Sequence, residues 1–159
     1  MEQTFCSRIW RLGDNIDTDI IIMSKYLAKP SLREMVPHLF EPLRPELAAR
    51  LRPGDAIVAG ENFGCGSSRE MAASVLKTAG IRCIIAKSFA KIFFRNAINN
   101  GLLLDLTPYV ESGALDLSDC DEAYISGGNY KDGLYGVSLG TNVMTVMYNA
   151  DLFEAAGVE

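Results

Sequence analysis

The sequence predicts an α/β fold in a single domain built on a sheet of parallel strands. Two short apolar segments of the strand type, residues 56–59 and 83–86, are each followed by a loop and a segment of helical periodicity. This alternation over about 45 residues is typical of parallel strands joined by right-handed crossovers. The 159 residues and 48% hydrophobic content fit one core, so we assign residues 1–159 to one domain.

The N-terminal third is expected to hold one strand and much irregular chain. Residues 5–12 alternate as a strand does, residues 13–19 form a polar turn, and residues 20–23 are apolar. Between residues 28 and 53 four prolines interrupt short helical patterns. Because proline breaks helices, this stretch predicts an irregular excursion rather than one long helix.

The first strand–helix unit begins after a turn at residues 52–55. The strand 56–59 leads into a glycine-rich segment at 60–66, and Ser67 or Ser68 is expected to cap a helix that runs to about residue 78. The helix carries an apolar face that includes Met71 and Val75, and Gly80 is expected at its end.

The second unit repeats this order. The strand 83–86 is followed by Ser88 as the expected N-cap and a helix over 89–100, with Phe89, Ile92 and Phe93 expected in the core. From residue 107 onward short segments of the β type alternate with glycines. We therefore expect a β layer there and a short last helix near residues 150–156.

Composition and charge exclude several classes of function. The net charge of -5 argues against a nucleic-acid or anionic-membrane surface, which needs clustered Lys and Arg. No apolar stretch reaches the roughly 18 residues of a membrane helix, and the start has no basic leader, so a cytoplasmic location is expected. Four separated cysteines without a C-x-x-C, and His38 as the one histidine, predict no metal bound by this chain. His38 is expected to be a loop or surface residue.

The segment 60–69 has the features of an anion-binding turn. Gly64 and Gly66 allow close approach of the backbone, Ser67 and Ser68 offer hydroxyl groups, and the planar guanidinium of Arg69 suits a carboxylate. A tight turn in which the serines cap a helix and Arg69 pairs with Glu61 or Glu70 explains the same spacing. The pattern is neither a phosphate-binding P-loop nor a dinucleotide fingerprint.

Two further polar segments allow more than one interpretation. Asp14, Asp17 and Asp19 suggest calcium, but the EF-hand pattern is incomplete, and Asx-type capping of the loop is the alternative. Arg95 and Asn96 lie in a helix rich in asparagine, where they either support a neighbouring site or only order a loop.

Three sequence blocks in the expected order resemble the small subunit of 3-isopropylmalate dehydratase, a relative of the aconitase swivel domain. They are residues 13–21 with Tyr26-Leu27, residues 62–70, and residues 88–101. The resemblance implies a swivelling β/β/α domain like domain 4 of aconitase and a hydro-lyase subunit that is active only with a large subunit. That partner would carry a 4Fe–4S cluster, and this chain would hold no cofactor of its own.

The resemblance also implies roles for individual residues. Ser67 would be the base that removes a proton next to a carboxylate, and Ser68 and Arg69 would hold that carboxylate. Lys29, after Tyr26-Leu27, would bind a distal carboxylate, or else would simply face water. The supporting residues would be Asp17, Thr18, Asp19, Asn62, Gly64, Cys65, Gly66, Arg95 and Asn96.

The substrate and the class of activity stay open at this point. Small 2-hydroxy acids are implied: isopropylmalate first, with homoaconitate and dimethylmalate or methylmalate as alternatives. Met71 departs from the family, which usually has histidine there, so a non-catalytic carboxylate-binding swivel module is the alternative from another class. A nucleotide-binding α/β domain lacks its phosphate motif. For the chain without its large subunit, a homo-oligomer is an open alternative.

Overall fold

The computed structural model describes residues 6–137, and the chain divides into two compact units. The first ends at Asp105 and the second begins at Leu106. The assignment of the whole chain to one domain stays a prediction.

The first unit contains a parallel three-stranded sheet in the order β1-β2-β3. Its strands are β1 (Ile9–Arg11), β2 (Ala56–Ala59) and β3 (Cys83–Ala86). Trp10, Ile57 and Ile84 stand side by side in the register. The predicted α/β class, the parallel sheet and the last two strands are confirmed, and the predicted strand 5–12 is confirmed for residues 9–11.

Most helices of the first unit are short. Their bounds are α1 (Thr18–Ile21), α2 (Leu32–Met35), α3 (Leu47–Arg50), α4 (Glu70–Thr78) and α5 (Lys91–Asn99). Two 3₁₀ turns, Ser24–Tyr26 and Val36–His38, accompany them. The irregular excursion predicted between residues 28 and 53 is confirmed, since it contains only α2, Val36–His38 and α3. Across residues 6–137 no helix is long and apolar enough to cross a membrane.

Both long helices start later than their serines suggested. Arg69 is the N-cap residue of α4 and Ala90 that of α5, and neither side chain makes a capping bond. The prediction that Ser67, Ser68 or Ser88 caps a helix is therefore wrong. The Ser88 hydroxyl instead accepts a hydrogen bond from the Asn62 backbone N–H at 2.8 Å, so it is engaged with another loop.

The later start of α5 changes which side chains enter the core. Phe93 and Ala97 are buried and Phe89 is half-buried, but Ile92 is 51% exposed, so its predicted core position is wrong. The buried face of α5 is therefore centred on Phe93 and Ala97, four positions apart, and Ile92 lies outside it. On α4 Met71 is half-buried, whereas Ala73, two positions later, is completely buried.

The described part of the second unit is less rich in strands than predicted. It contains α6 (Thr107–Glu111), α7 (Glu122–Ser126) and a hairpin of two-residue strands, β4 (Asn129–Tyr130) and β5 (Gly133–Leu134). Pro108 in the first turn of α6 and the Asp121 side chain, which caps α7, favour these helices. The β-layer prediction is thus wrong for both helical stretches, and the last helix near 150–156 lies outside the described residues.

The buried carboxylate of Asp55, just before β2, binds side chains at the start of β1. Asp55 is 4% exposed and accepts hydrogen bonds from Arg8 Nη2 and Trp10 Nε1, each at 2.7 Å, and from the Arg52 backbone N–H at 3.0 Å. Burial raises the pKa of Asp55, but these donors outweigh burial and the pKa lies below its ordinary value. The ionised form is therefore the one that the fold stabilises.

We expect Asp55→Asn to lower the free energy of unfolding by about 2 to 4 kcal/mol, because Arg8 and Trp10 lose a charged acceptor. The contribution of a carboxylate with a lowered folded pKa is complete above its unfolded pKa of about 3.9 and is lost as pH falls through the folded pKa. Urea unfolding from pH 6 to pH 3 should show this acid loss in the parent chain and less of it in the variant. An equal fall of the free energy of unfolding with pH in the parent chain and in Asp55→Asn would contradict the prediction.

Candidate functional site

The loops that follow the three parallel strands are joined by backbone hydrogen bonds at one edge of the sheet. On one side, Asn15 N–H donates to Glu61 O at 2.8 Å, Gly64 N–H to Ile16 O at 2.7 Å, and Thr18 N–H to Cys65 O at 2.9 Å. The carboxyl edge of a parallel sheet is where α/β proteins bind ligands. The first two sequence blocks therefore meet where a site is expected.

The third block closes the other side of the same loop. Phe63 N–H donates to Ser88 O at 3.0 Å, and Ala90 N–H donates to Phe63 O at 2.9 Å. Asn62 has a φ of 59° and its side chain donates to Asn15 Oδ1 at 3.0 Å. The chain around residue 63 is thus held from both sides, and the supporting role of Asn62 in a site stays a prediction.

The acidic turn before α1 caps and orders the loop. Asp14 Oδ1 accepts from the Glu61 N–H at 2.8 Å, and Asp17 Oδ1 accepts from the Ile20 N–H at 2.7 Å and caps α1. The Asx-type interpretation of this turn is confirmed. Within residues 6–137 no group of three or more His, Cys, Asp or Glu is placed to hold a metal ion.

Gly64 lies in the left-handed region, directly against a buried phenylalanine. Its φ is +77°, and a Cβ there would lie 2.1 Å from Phe93 Cγ. The Phe93 ring meets the Phe63 ring edge-on with a centroid distance of 5.2 Å, and both residues are buried. Because residue 64 is glycine, the loop can pack directly against Phe93. This contact helps to set the position of the residues that follow.

Ser67 and Ser68 are exposed at the end of this loop, just before α4. Thr18 is 1% exposed, and its hydroxyl donates to the Ser67 carbonyl oxygen at 3.1 Å. No hydrogen bond among the described residues involves either serine hydroxyl. The loop therefore holds Ser67 by its backbone and leaves its side chain available to a ligand.

Cys65 lies inside the same loop but has the properties of a packing residue. Burial raises the pKa of its thiol, and the negative charge of Asp17 raises it further. A thiol with a raised pKa stays protonated near neutral pH and is a weak nucleophile. The structure therefore gives no sign of a reactive thiol in this loop.

Arg69 forms a bidentate ion pair with Asp19. Arg69 Nη1 lies 2.7 Å from Asp19 Oδ1, and Nη2 lies 2.8 Å from Oδ2. The expectation that Arg69 pairs with Glu61 or Glu70 is therefore wrong. The Arg69 hydrogen bond is the main cause that lowers the pKa of Asp19 to about 2, with Ser24 next. Asp19 is ionised at any physiological pH.

A cavity of about 400 Å³ borders this ion pair. Its lining comprises Asp17, Asp19, Ile20, Met23, Ser24, Lys25 and Pro42.

Lys25 Nζ lies 3.3 Å from Glu41 Oε1, and Glu41 also accepts from the Tyr26 hydroxyl. The Tyr26 ring stacks on His38 with a centroid distance of 3.7 Å. Sequence reasoning missed this cluster because Tyr26 and Glu41 lie 15 positions apart, and the sequence block that contains Tyr26 names no partner for it.

Three of the predicted site residues are not joined to the loop. Lys29 is exposed, and its backbone N–H donates to Tyr26 O at 3.0 Å. Arg95 is exposed on α5, and the Asn96 carbonyl accepts from the Asn100 side chain at 2.8 Å. Among the described residues no hydrogen bond or ion pair connects these three to residues 64–69, and their roles stay predictions.

The match to a known domain family agrees with this geometry. The aconitase C-terminal domain matches residues 45–107, which include β2, the Gly64–Arg69 loop, α4, β3 and α5. The α/β fold and this match define the first unit as a domain of the aconitase C-terminal type.

Similar proteins narrow the family. The 3-isopropylmalate dehydratase small subunit of Lachnospira eligens is 62% identical over 104 residues, 65% of this chain and 63% of that protein. The methanogen homoaconitase small subunit of Methanothermobacter thermautotrophicus is 52% identical over 125 residues, 79% of this chain and 70% of that protein. A crystal structure of 3-isopropylmalate dehydratase from Methanocaldococcus jannaschii aligns with a TM-score of 0.59 at 48% identity, over 61% of this chain and 58% of that one.

The chain belongs to the family of aconitase-type small subunits represented by that of 3-isopropylmalate dehydratase. The resemblance predicted from the three sequence blocks is confirmed. The chain spans 63% of the length of the Lachnospira relative.

Proposed function

We propose that this chain is the small, substrate-holding subunit of a 3-isopropylmalate dehydratase-type hydro-lyase. The observation that carries the proposal is the arrangement of Ser67, Ser68 and Arg69. Two hydroxyls that no residue within 6–137 engages precede an oriented guanidinium at the start of α4. Hydroxyl and guanidinium donors together suit a carboxylate next to a reacting carbon. Family membership supports this assignment.

In the proposed reaction Ser67 takes the proton from the carbon next to a carboxylate, and Ser68 and Arg69 hold that carboxylate. The hydroxyl group leaves from the neighbouring carbon, which forms an alkene, and water adds back with the opposite regiochemistry. A 4Fe–4S cluster, when bound, supplies a Lewis acid for the departing hydroxyl. We place that cluster on a large subunit, as the resemblance to the family implies.

Ser67 needs help to act as a base, since a serine hydroxyl holds its proton at neutral pH. The first backbone N–H groups of α4 have no acceptor within the helix, and the helix dipole favours negative charge at this end. Closure of the two subunits would exclude water and strengthen both effects. The exposure of Ser67 in the separate subunit agrees with a site that a partner completes.

Isopropylmalate is the first candidate substrate, in line with the Lachnospira relative. Homoaconitate, an alkene that would enter at the hydration step, is the second, because the Methanothermobacter relative aligns over a larger share of this chain. Dimethylmalate and methylmalate are the other members of the class. We place the protein in the cytoplasm, where thiols such as its four free cysteines stay reduced.

The test is reconstitution with an iron–sulfur large subunit and measurement of alkene absorbance with the four acids. We expect turnover of one acid, and none by this chain alone. The matched control is the same large subunit with the Lachnospira small subunit, which establishes that the large subunit is competent. Carboxylate binding without turnover of any acid in a competent mixture would favour the non-catalytic module and overturn the proposal.

Within this proposal Arg69→Lys is expected to lower kcat/KM by about 10- to 100-fold. Lysine keeps the charge but loses the fork that binds two oxygens, which costs a hydrogen bond to a charged group. Steady-state kinetics of the reconstituted enzyme measure the effect. Arg33→Lys, at an exposed position of α2, is the matched control and should behave as the parent. Equal kinetics of Arg69→Lys and the parent would remove Arg69 from the site.

A further inference from the structure

We infer that Asp19 is a positioning residue that fixes the Arg69 guanidinium so that one chosen edge faces the substrate carboxylate. The inference rests on the proposed function and adds to it the carboxylate that orients the carboxylate-binding arginine. It follows from the geometry of the ion pair, from the way Asp19 is anchored, and from its contrast with a second Arg–Asp pair.

Asp19 binds the end of the guanidinium and leaves its side edge available. The two bonds use Arg69 Nη1 and Nη2, at 2.7 and 2.8 Å, while Nη1 also lies 3.4 Å from Ile22 O. Among the described residues no acceptor engages Arg69 Nε. The side edge, formed by Nε–H and the outer N–H of Nη2, can therefore bind a second carboxylate in a bidentate manner.

Asp19 is held independently of Arg69. Its Oδ1 accepts from the Ser24 backbone N–H at 3.0 Å and from the Ser24 hydroxyl at 2.9 Å. The helix that carries it, α1, is capped by Asp17 and tied to the loop by the Thr18 N–H bond to Cys65 O. The carboxylate is thus the fixed member of the pair, and the long arginine side chain takes its orientation from it.

The charge of Asp19 separates this role from simple affinity. A carboxylate beside Arg69 cancels part of its positive charge, so Asp19 weakens long-range attraction of an anion. What it adds is a single guanidinium orientation, and misplacement of a binding group by about 1 Å can cost 100-fold in rate. Asp19 as a mere stand-in for the substrate is the rival explanation, and it requires both Arg69–Asp19 hydrogen bonds to break on every substrate arrival while Ser24 still holds Asp19 in place.

The Arg8–Asp55 pair shows what a structural pair looks like in the same unit. Asp55 is 5% exposed in its side chain and is enclosed by Arg8, Trp10 and Arg52, none of which belongs to the loop. Asp19 is 49% exposed in its side chain and lines the cavity, and its arginine is the buried member of the pair at 16% exposure. A half-exposed ion pair is screened by solvent more than an enclosed one, and of these two aspartates only Asp19 lines a cavity.

The experiment compares Asp19→Asn with Asp55→Asn in the enzyme reconstituted with its large subunit. For Asp19→Asn we expect KM to rise by about 10- to 100-fold with a smaller change in kcat, and a urea midpoint lowered by less than that of Asp55→Asn. Asparagine has nearly the same shape, but its amide N–H₂ faces an arginine donor and cannot hold the fork. Asp55→Asn should do the reverse, with a lowered midpoint and an unchanged KM.

Each other outcome overturns the inference. A lower KM in Asp19→Asn would show that Asp19 competes with the substrate, and an unchanged KM would show that it does not orient Arg69. If Asp19→Asn fails to fold, Ser24→Ala, which removes one anchor of Asp19, must still raise KM, or the inference fails. Arg69→Lys is measured in parallel to distinguish failure of the inference from failure of the proposed function. If it too leaves kcat/KM unchanged, the proposed function of Arg69 fails as well.

Discussion

Replacing Ser67 with alanine is expected to lower kcat of the reconstituted enzyme by about 10²- to 10⁴-fold, the usual contribution of a positioned proton acceptor. Only the hydroxyl is removed, and no described residue makes a hydrogen bond to it. The contact that holds this position is the Thr18 hydroxyl bond to the Ser67 carbonyl oxygen at 3.1 Å, which alanine retains. KM and assembly with the large subunit should therefore change little.

The control for this prediction is another serine-to-alanine change on the adjoining helix. Ser74 lies on α4, and its hydroxyl donates to the Glu70 carbonyl oxygen at 3.2 Å within the same helix. Ser74→Ala should leave kcat near the parent value, since such local bonds add little to a helix. Steady-state kinetics, with size-exclusion chromatography to verify assembly, make the comparison. Full turnover by Ser67→Ala would exclude Ser67 as the base.

The sequence was sufficient for the site wherever the chemistry is local. Glycines at 64 and 66 predicted a loop with unusual backbone, and both have φ above +70° in the structure. The aspartates of residues 14–19 predicted Asx-type capping, which Asp14 and Asp17 perform. These predictions succeed because a glycine or a capping carboxylate acts on the backbone next to it.

Contacts between distant positions could not be read from the sequence. Arg69 and Asp19 lie 50 positions apart, and Asp55 and Arg8 lie 47 apart, so spacing names no partner for either arginine. The predicted N-cap of α5 was wrong for a related reason, since Ser88 binds the backbone of Asn62 rather than its own helix. A tertiary hydrogen bond thus overrode a good local capping signal.

Replacing Gly64 with alanine is expected to lower the free energy of unfolding by about 2 to 5 kcal/mol, the second large effect. Two costs add: the φ of +77° disfavours any residue with a Cβ, and that Cβ would lie 2.1 Å from Phe93 Cγ and 2.4 Å from Phe93 Cβ. Phe93 is 2% exposed and packed against Phe63, so it cannot move aside without opening the core.

Two matched glycines separate these costs. Gly54 has a φ of +92° with open space around its Cβ position, so Gly54→Ala should show the backbone cost alone, about 1 to 2 kcal/mol. Gly13 has neither a positive φ nor a neighbour within 4 Å, and Gly13→Ala should change stability by less than about 1 kcal/mol. Urea unfolding of the three variants gives the order of their stabilities. A loss of stability in Gly64→Ala no larger than in Gly54→Ala would contradict the proposed clash.

Because the loop that carries Ser67 and Arg69 rests on Phe93, an alanine at 64 that still folds should also displace those groups and lower turnover more than its lost stability explains.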